Sequence, residues 1–404
     1  MMNAAILGCG TIGSGVYEVI ERNQKEIREA CGQEIRVKRI LDLRQFPGQP
    51  FEKLVTPDIK DIVEDPEIDI VVETMGGTKP AYEFVKSCLL AGKHVTTSNK
   101  ALVAAHGTDL LETAREMHRN FFFEASVGGG IPLIRTLYTG YAGQEIEEIT
   151  GILNGTTNYI LTKMSREGSE FADVLKEAQQ LGYAERNPEA DVEGYDTCRK
   201  IAILASLVTD REIDYQKIHT EGITKIEPVD FRYAESLHAS IRLVGSMVRA
   251  RDGISLLVAP ELIPEESPLC GVSDVFNGVL IRGNTLGVTM LYGAGAGKLP
   301  TASAVVADII EIAKHREENV PFGWHEGALS PMPLEKRKGR FFVRVSGSGR
   351  ESEGMASAAL GGAKILHLDG EKEFGLLTGE MTEEAYAEAA ARVPGIVKMI
   401  RAAV

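Results

Sequence analysis

The sequence of 404 residues predicts an α/β protein that begins with a doubly wound parallel sheet. Three observations predict this fold class. A glycine-rich turn joins a short apolar segment to a helical pattern near the N-terminus, and apolar and helical segments then alternate as far as about residue 130. The apolar segments are also nearly uninterrupted, which is typical of strands that lie buried on both faces of a parallel sheet.

The glycine-rich turn follows the apolar residues 3–7 and precedes a helical pattern over residues 16–30. Its residues are Gly8, Gly10, Thr11, Ile12 and Gly13. Strand, turn and helix in this order are the context of a dinucleotide-binding fingerprint. The first glycine permits the turn, the second admits a pyrophosphate and the third lets helix and strand pack. A purely structural turn is the alternative, but the position at the start of an alternating chain favours nucleotide binding.

The predicted strand over residues 36–41 is followed by Asp42 and Arg44. A carboxylate at this place binds a ribose 2′-hydroxyl and favours NAD, whereas an arginine meets the 2′-phosphate of NADP. Because a solvated loop charge explains either residue equally well, the choice between NAD and NADP stays open.

Further strands are predicted over residues 68–73, 93–97 and 120–124, with helices over residues 80–91 and 101–119. Ligands of doubly wound sheets bind beyond the carboxyl ends of the strands. The residues predicted at this edge include Thr74, Gly76, Ser98 and Lys100. We expect the lysine to contact substrate or phosphate rather than to be an ordinary surface lysine.

A second unusual turn, residues 124–132, contains three consecutive glycines a few residues after Glu124. Glycines allow a tightly curled backbone whose carbonyl oxygens converge on a cation. On local grounds alone, a plain connection between a strand and a helix is the simpler interpretation.

The chain changes character near residue 131 and reaches its most informative segment at residues 182–200. Asp196 and Lys200 are about one helical turn apart, so they share a helix face. An exposed ion pair is the simplest interpretation. The helix that follows is almost wholly apolar, however, which favours a lysine and carboxylates that border a cleft. There a lysine delivers a proton to an oxyanion and carboxylates orient a substrate amine.

Residues 178–200 match at every fixed position the pattern Ala-x3-Gly-Tyr-Ala-x2-Asn-Pro-x2-Asp-Val-x-Gly-x-Asp-x3-Lys. This pattern resembles the signature of the homoserine dehydrogenases. The likeness extends to the N-terminal glycine turn and to residues 98–101, 124–132, 151–159 and 293–305, so it covers most of residues 3–318.

The resemblance implies an NAD(P)-binding Rossmann domain followed by an α+β domain for substrate binding and dimerisation. It also implies NAD(P)-dependent interconversion of L-aspartate 4-semialdehyde and L-homoserine, in the route to threonine and methionine. A homodimer or homotetramer is expected.

Roles carried over from the family fall on matching positions. Lys200 would donate the proton to the aldehyde oxygen, Lys100 would assist or bind substrate, and Asp191 would support the catalytic lysine. The substrate-binding residues would be Glu185, Asp196, Lys100, Gly182 and Tyr183. Gly297 would approach the cofactor from the second side. A structural Na⁺ or K⁺ would be held by Glu124 and by the carbonyls of Val127, Gly129 and Ile131.

The C-terminal residues 339–404 predict a βαββαβ order that loosely resembles an ACT-type regulatory module. Threonine binding by this module and simple packing within a dimer are both compatible with the pattern. The predicted domains are residues 1–130, completed by about 296–318, for the cofactor; residues 131–295 for the substrate; a linker at 319–338; and the C-terminal module.

Charge and cysteine content exclude several classes of protein. The net charge of −14 disfavours binding to nucleic acids or anionic membranes, and no stretch approaches the ~18 apolar residues of a membrane span. Five scattered cysteines do not resemble a disulfide framework, which favours a reducing cytoplasm.

Two other functions suit the same architecture. An aspartate-semialdehyde dehydrogenase needs a nucleophilic cysteine, and none of the cysteines has a suitable context: Cys9, Cys31, Cys88, Cys198 and Cys270. A non-catalytic nucleotide sensor would need a DNA-binding helix pair or a basic face, and the acidic chain offers neither.

Overall fold

The structure, a computed structural model, describes residues 1–347 and 349–403. Two compact units are present. The first comprises Met1–Gln144, Ala202–Tyr215 and Gly293–Leu329. The second comprises Glu145–Ile201, Gln216–Tyr292 and Ser330–Val404.

The strands in the described part of the chain are β1 (Met2–Leu7), β2 (Ile35–Leu41), β3 (Val55–Thr56), β4 (Ile70–Glu73), β5 (His94–Thr97), β6 (Phe121–Phe122), β7 (Ile146–Ile152), β8 (Arg211–Ile213), β9 (His219–Thr220), β10 (Ala239–Ala250), β11 (Gly253–Pro264), β12 (Phe276–Gly283), β13 (Gly287–Ala294), β14 (His325–Leu329), β15 (Lys338–Ser346), β16 (Gly362–His367), β17 (Glu373–Thr378), β18 (Met381–Thr382) and β19 (Ile396–Ala402).

The helices are α1 (Thr11–Arg22), α2 (Gln24–Cys31), α3 (Lys60–Val63), α4 (Ala81–Leu90), α5 (Lys100–Glu116), α6 (Leu133–Arg135), α7 (Gly155–Glu167), α8 (Phe171–Gln180), α9 (Glu189–Val192), α10 (Tyr195–Thr209), α11 (Pro228–Ser236), α12 (Lys298–Lys314), α13 (Arg350–Leu360) and α14 (Glu383–Ala390).

The first unit contains the predicted doubly wound sheet. Its strands have the order β3-β2-β1-β4-β5-β6 and every adjacent pair is parallel. A core of buried aliphatic side chains joins this sheet to α1, α2 and α12. Because β1 lies between β2 and β4, successive strands are added first on one side of β1 and then on the other. Sheets of this kind bind ligands at such a switch point, beyond the carboxyl ends of the strands. The predicted fold class is confirmed for this unit.

Three local predictions differ from the structure. The helical pattern over residues 16–30 forms two helices that break at Asn23, a residue type that competes for backbone hydrogen bonds. The strand predicted at 120–124 ends at Phe122, because the Ser126 hydroxyl and amide both bind the Phe123 carbonyl in a tight turn. The residues predicted as a linker contain β14, which pairs with β8. Trp324 in that segment is buried against Gly107 of α5.

The second unit contains a larger mixed sheet with the order β13-β12-β7-β10-β11-β19-β15-β17-β16. Helices α7 and α11 pack on β10. The C-terminal part contains the predicted βαββαβ elements with one addition, the two-residue strand β18 between β17 and α14, which pairs with β15. It has its own apolar core and joins the rest of the second unit through a parallel pairing of β11 and β19.

Candidate active site

The turn after β1 adopts a backbone that requires glycine at two of its three fingerprint positions. Gly8 has a φ of 91°, in the left-handed region. A Cβ on Gly13 would lie 2.0 Å from the Gly8 carbonyl oxygen. A Cβ on Gly10, in contrast, would meet no protein atom within 4 Å. Since the protein supplies no steric reason for Gly10, the open space there suits a ligand that approaches the backbone closely.

Helix α1 begins directly after this turn, so its first N–H groups have no partner within the helix. A cleft of about 950 Å³ opens beside it. The residues that line the cleft include Gly10, Thr11, Ser14, Arg44, Phe51 and Lys298. Ile12 is half-buried and packs against the core beneath. Space, free N–H groups and the helix dipole together suit a phosphate-bearing ligand.

Asp42 and Arg44 both lie beside the glycine turn. The Asp42 carboxylate accepts the Cys9 N–H at 2.8 Å and two hydrogen bonds from the Arg44 guanidinium at 2.9 and 2.8 Å. The bond from Arg44 lowers the pKa of Asp42 to about 2, so this carboxylate is ionised at neutral pH. Arg44 lies over the ring of Phe46 and stays largely exposed. Asp42 is thus tied to the turn, whereas Arg44 faces the cleft.

The carboxyl ends of β4 and β5 bring further predicted residues to this edge. The Thr74 hydroxyl donates to the Gly8 carbonyl at 2.7 Å, which fixes the turn after β4 against the glycine turn. Gly76 has a φ of 80°. The Ser98 N–H donates to the Glu73 carbonyl at 3.2 Å, and Lys100 is the half-buried first residue of α5.

The segment around Gly297 also belongs to the first unit. Gly297 immediately precedes α12 and has a φ of 124°. A Cβ on Gly15 of α1 would lie 2.9 Å from the Lys298 carbonyl, so the start of α12 packs tightly on α1. The Lys298 ammonium pairs with Glu18 at 2.7 Å. The packing of α12 on α1 beside the cleft therefore explains why the chain returns to the first unit at this point.

Lys200 lies buried in the second unit. Its side chain is only 9% exposed, and that of its partner Asp196 is 4% exposed. The Lys200 Nζ donates to the Leu153 carbonyl at 2.6 Å and pairs with Asp196 Oδ2 at 2.7 Å. The interpretation as a solvated surface pair is therefore wrong. A buried ammonium with two acceptors has a fixed position, as a proton donor requires.

Asn154 completes this cluster, although the sequence pattern assigns it no role in the site. Its Nδ2 donates to Asp191 Oδ1 at 2.7 Å and to Asp196 Oδ2 at 2.9 Å, while its Oδ1 accepts the Thr157 N–H at the start of α7. Asp191 thus joins Asp196 through the amide. An asparagine directly between a strand and a helix indicates a helix N-cap. The sequence pattern does not indicate that the same side chain also bridges two carboxylates.

The remaining predicted substrate residues lie near the end of α8. Gly182 has a φ of 77° after the last turn of that helix. The Tyr183 ring packs on Tyr159 with centroids 4.9 Å apart, and its carbonyl accepts the Thr156 hydroxyl. Glu185 is exposed, and its carbonyl accepts from Gln179.

The turn at residues 124–132 is curled as predicted, because Gly128 and Gly129 have φ values of 81° and 56°. Glu124 is buried, and its two carboxylate oxygens accept the N–H groups of Ile134 and Arg135 at 2.9 and 2.6 Å. Burial and the nearby Asp308 raise the pKa of Glu124 to about 7. A buried carboxylate beside a second one, with carbonyl oxygens in the same turn, is a hard-oxygen environment that suits an alkali cation.

Three further findings bear on the chemistry. Within residues 1–347 and 349–403, no three His, Cys, Asp or Glu side chains are grouped so that they could hold a metal ion. Over the same residues no helix has both the length and the apolar character of a membrane span. None of the five cysteines forms a disulfide, and burial raises the pKa of the Cys198 thiol, which disfavours a nucleophilic role.

Comparison with known proteins agrees with this arrangement. The family model "Homoserine dehydrogenase, NAD binding domain" matches residues 8–124, and the model "Homoserine dehydrogenase" matches residues 132–310. The homoserine dehydrogenase of Pseudomonas aeruginosa is 40% identical, with 85% of this chain and 81% of the relative covered. That of Synechocystis sp. is 38% identical, with 98% of each covered.

Solved structures give the same result. A homoserine dehydrogenase from Thiobacillus denitrificans superposes with a TM-score of 0.89 at 35% identity, covering 99% of this chain and 98% of the other. A hyperthermophilic archaeal homoserine dehydrogenase in complex with NADPH has a TM-score of 0.65 at 28% identity, over 77% and 97%. The glycine turn, the buried lysine cluster and these matches together show that the chain belongs to the homoserine dehydrogenase family, the oxidoreductases that act on a CH–OH group with a nicotinamide cofactor.

Proposed function

We propose that the chain interconverts L-aspartate 4-semialdehyde and L-homoserine with NADP or NAD, with Lys200 as the proton donor. The observation that carries this assignment is the buried ammonium of Lys200, fixed by the Leu153 carbonyl and Asp196. Such a group has the geometry to protonate a single oxygen of a bound substrate.

The chain's own residues would handle the proton and the substrate. During reduction, Lys200 gives a proton to the aldehyde oxygen, and in the reverse direction it takes the proton of the hydroxyl. Asp196 holds Nζ in place, Asn154 donates to Asp196, and Asp191 orients Asn154. The other predicted substrate contacts are Glu185, Gly182, Tyr183 and Lys100.

The cofactor, when bound, accepts or supplies the hydride. Residues of the first unit would hold it: the turn at Gly8, Gly10 and Gly13 takes the pyrophosphate at the start of α1, and Thr74 stabilises the turn that faces it. We assign the same site Thr11, Ile12, Gly76, Ser98, Lys100 and Gly297.

The rim of the cleft favours NADP. Asp42 already has four hydrogen-bond donors from Cys9 and Arg44, whereas the Arg44 guanidinium is largely exposed. An exposed guanidinium is well suited to a 2′-phosphate, and a carboxylate that is already bound is less available to a ribose hydroxyl.

A monovalent cation, Na⁺ or K⁺, would be held by Glu124 and the carbonyls of Val127, Gly129 and Ile131. The support is the buried carboxylate in a curled, glycine-rich turn. Its role would be structural, because it would fix the connection between β6 and α6. Thermal unfolding in NaCl, KCl and tetramethylammonium chloride tests this, with Glu124→Gln expected to abolish any difference between the salts.

The wider assignments rest on the family. We propose biosynthesis of threonine and methionine as the role, the cytoplasm as the location, and a homodimer or homotetramer that associates through residues 131–295. The C-terminal module at 339–404 would bind threonine, and a titration of threonine against the initial rate tests that function. Neither a nucleic acid nor a membrane is proposed as a partner.

The decisive experiment follows absorbance at 340 nm while the protein is mixed with L-homoserine and either NAD or NADP. Reduction of the cofactor that depends on homoserine is the expected result. Binding of NADPH without turnover would contradict the proposed activity and favour a nucleotide sensor. Oxidation of aspartate semialdehyde that depends on phosphate would instead indicate an aspartate-semialdehyde dehydrogenase.

A further inference from the structure

Glu73, the last residue of β4, is a fully buried carboxylate that the proposed reaction does not use. It lies at the carboxyl end of the strand next to β1, where the order of the sheet reverses. A buried carboxylate is costly unless hydrogen bonds stabilise it. The groups that bond to it therefore indicate what it does.

Glu73 binds the backbone of the turn that follows it. Its Oε1 accepts the Met75 N–H at 2.7 Å and the Gly76 N–H at 3.4 Å. This turn lies directly on the glycine turn after β1, because Thr74 bonds the Gly8 carbonyl and a Cβ on Gly8 would lie 2.9 Å from Met75. The carboxylate of Glu73 thus holds one wall of the cofactor turn from behind.

The second oxygen of Glu73 reaches the neighbouring strand. Its Oε2 accepts the Thr97 hydroxyl at 2.5 Å, and the Thr97 oxygen in turn accepts the Asn99 N–H at 2.9 Å. Asn99 caps α5 by accepting the Leu102 N–H, and its Nδ2 returns to the Gly77 carbonyl at 2.6 Å. A closed set of hydrogen bonds therefore links the turn after β4 to the start of α5.

We propose that Glu73 is a positioning residue that locks the turn at residues 74–77 and the start of α5 into one arrangement for cofactor binding. The inference rests on the proposed cofactor site. Glu73 acts through hydrogen bonds rather than through an ionic contact with the cofactor, because the donors to its carboxylate belong to this network. The lock also fixes the backbone that carries Lys100, the first residue of α5.

The test measures the Kd for NADPH by fluorescence in Glu73→Leu, Glu73→Gln and Thr97→Val. The leucine variant leaves two backbone N–H groups and one hydroxyl without their acceptor, so its Kd is expected to rise about tenfold. Glutamine keeps an acceptor for the Met75 N–H, so its Kd is expected within about threefold of the wild type. Thr97→Val breaks the link to α5 and should fall between them. Glu64→Gln, an exposed carboxylate, is the control.

A second readout uses the protein without cofactor. Amide hydrogen exchange at Met75, Gly76 and Leu102 should accelerate in the leucine and valine variants and not in the control. If Glu73→Leu does not fold, Thr97→Val and Glu73→Gln decide the matter by the same two readouts.

The proposal would be overturned if Thr97→Val or Glu73→Leu showed the wild-type Kd for NADPH and wild-type amide exchange. This holds even if the melting temperature falls, since that result would indicate a purely structural role. An equal loss of NADPH binding in the glutamine and leucine variants would also overturn it, because charge would then be the requirement. Absence of homoserine turnover in a wild-type protein that binds NADPH contradicts only the proposed function.

Discussion

The turn after β1 and the cluster around Lys200 achieve rigidity in opposite ways. In the turn, side chains are missing: backbone atoms approach so closely that a Cβ on Gly13 would overlap the Gly8 carbonyl. In the cluster, three buried side chains and one half-buried side chain hold one another: Lys200, Asp196 and Asn154, with the half-buried Asp191, form a continuous set of polar contacts. The turn is rigid because its backbone leaves no space for a side chain. The cluster is rigid because its charged and polar groups form hydrogen bonds and ion pairs with one another.

This difference implies different sensitivities. An added methyl group is the severe change in the turn, because backbone atoms cannot yield without distorting the sheet. A lost donor or acceptor is the severe change in the cluster, because a partner then stays buried without compensation.

Lys200→Ala is expected to lower kcat by roughly 10²–10⁴, because it removes the proposed proton donor. The Kd for NADPH should not change, since the residues proposed to hold the pyrophosphate lie in the first unit. Stopped-flow or steady-state rates at 340 nm and NADPH fluorescence measure the two quantities. Lys176→Ala, an exposed lysine on α8, is the matched control. Near-normal turnover in the Lys200 variant would remove the role assigned to it.

Gly13→Ala and Gly10→Ala form a pair that tests excluded volume. The first should destabilise the fold by about 3 kcal/mol, since its methyl group meets the Gly8 carbonyl at 2.0 Å. The second should fold normally, since Gly10 has an ordinary φ of −78° and open space, but it should weaken NADPH binding about tenfold or more. Urea unfolding and fluorescence titration separate the two effects. Normal NADPH affinity in Gly10→Ala would show that the space is not used by the cofactor.

Asn154→Ser tests the hydrogen bonds that join two carboxylates of the cluster, and it leaves the cap of α7 intact. Serine still accepts the Thr157 N–H at the start of α7, but it has no amide to bridge Asp191 and Asp196. We expect kcat to fall by about 10–100-fold and the melting temperature to fall as well, because Asp191 and the buried Asp196 each lose a hydrogen-bond donor. Asn154→Ala, which loses the cap as well, should show the same loss of kcat and an additional loss of stability. Equal kcat in Asn154→Ser and the wild type would mean that the bridge is dispensable.

Arg44→Ser gives the smallest expected effect and concerns specificity. Removing the guanidinium should raise the KM for NADP about tenfold and change the KM for NAD by less than about threefold. Arg28→Ser, an exposed arginine on α2, should change neither. A parallel change in both KM values would assign Arg44 to general charge attraction rather than to the 2′-phosphate.

Much of this architecture was predictable from local patterns. The parallel sheet followed from apolar strands and the glycine spacing, since those signals are contained within a few residues of one another. The family followed from a 23-residue pattern in which Gly182, Asp191 and Lys200 stand at fixed distances. The break at Asn23 and the strand β14 were missed, because weak local preferences decide the first and a distant partner strand decides the second.

The amino-acid sequence places particular residue types at the strand ends and helix starts, and it thereby indicates the chemistry. Which of these residues are buried, and which hydrogen-bond to one another, depends on the tertiary structure. Asn154 and Glu73 are ordinary polar residues in the linear pattern, but each contacts partners many residues away in the chain. Their roles arise because burial removes water as an alternative partner, and burial depends on how distant segments pack.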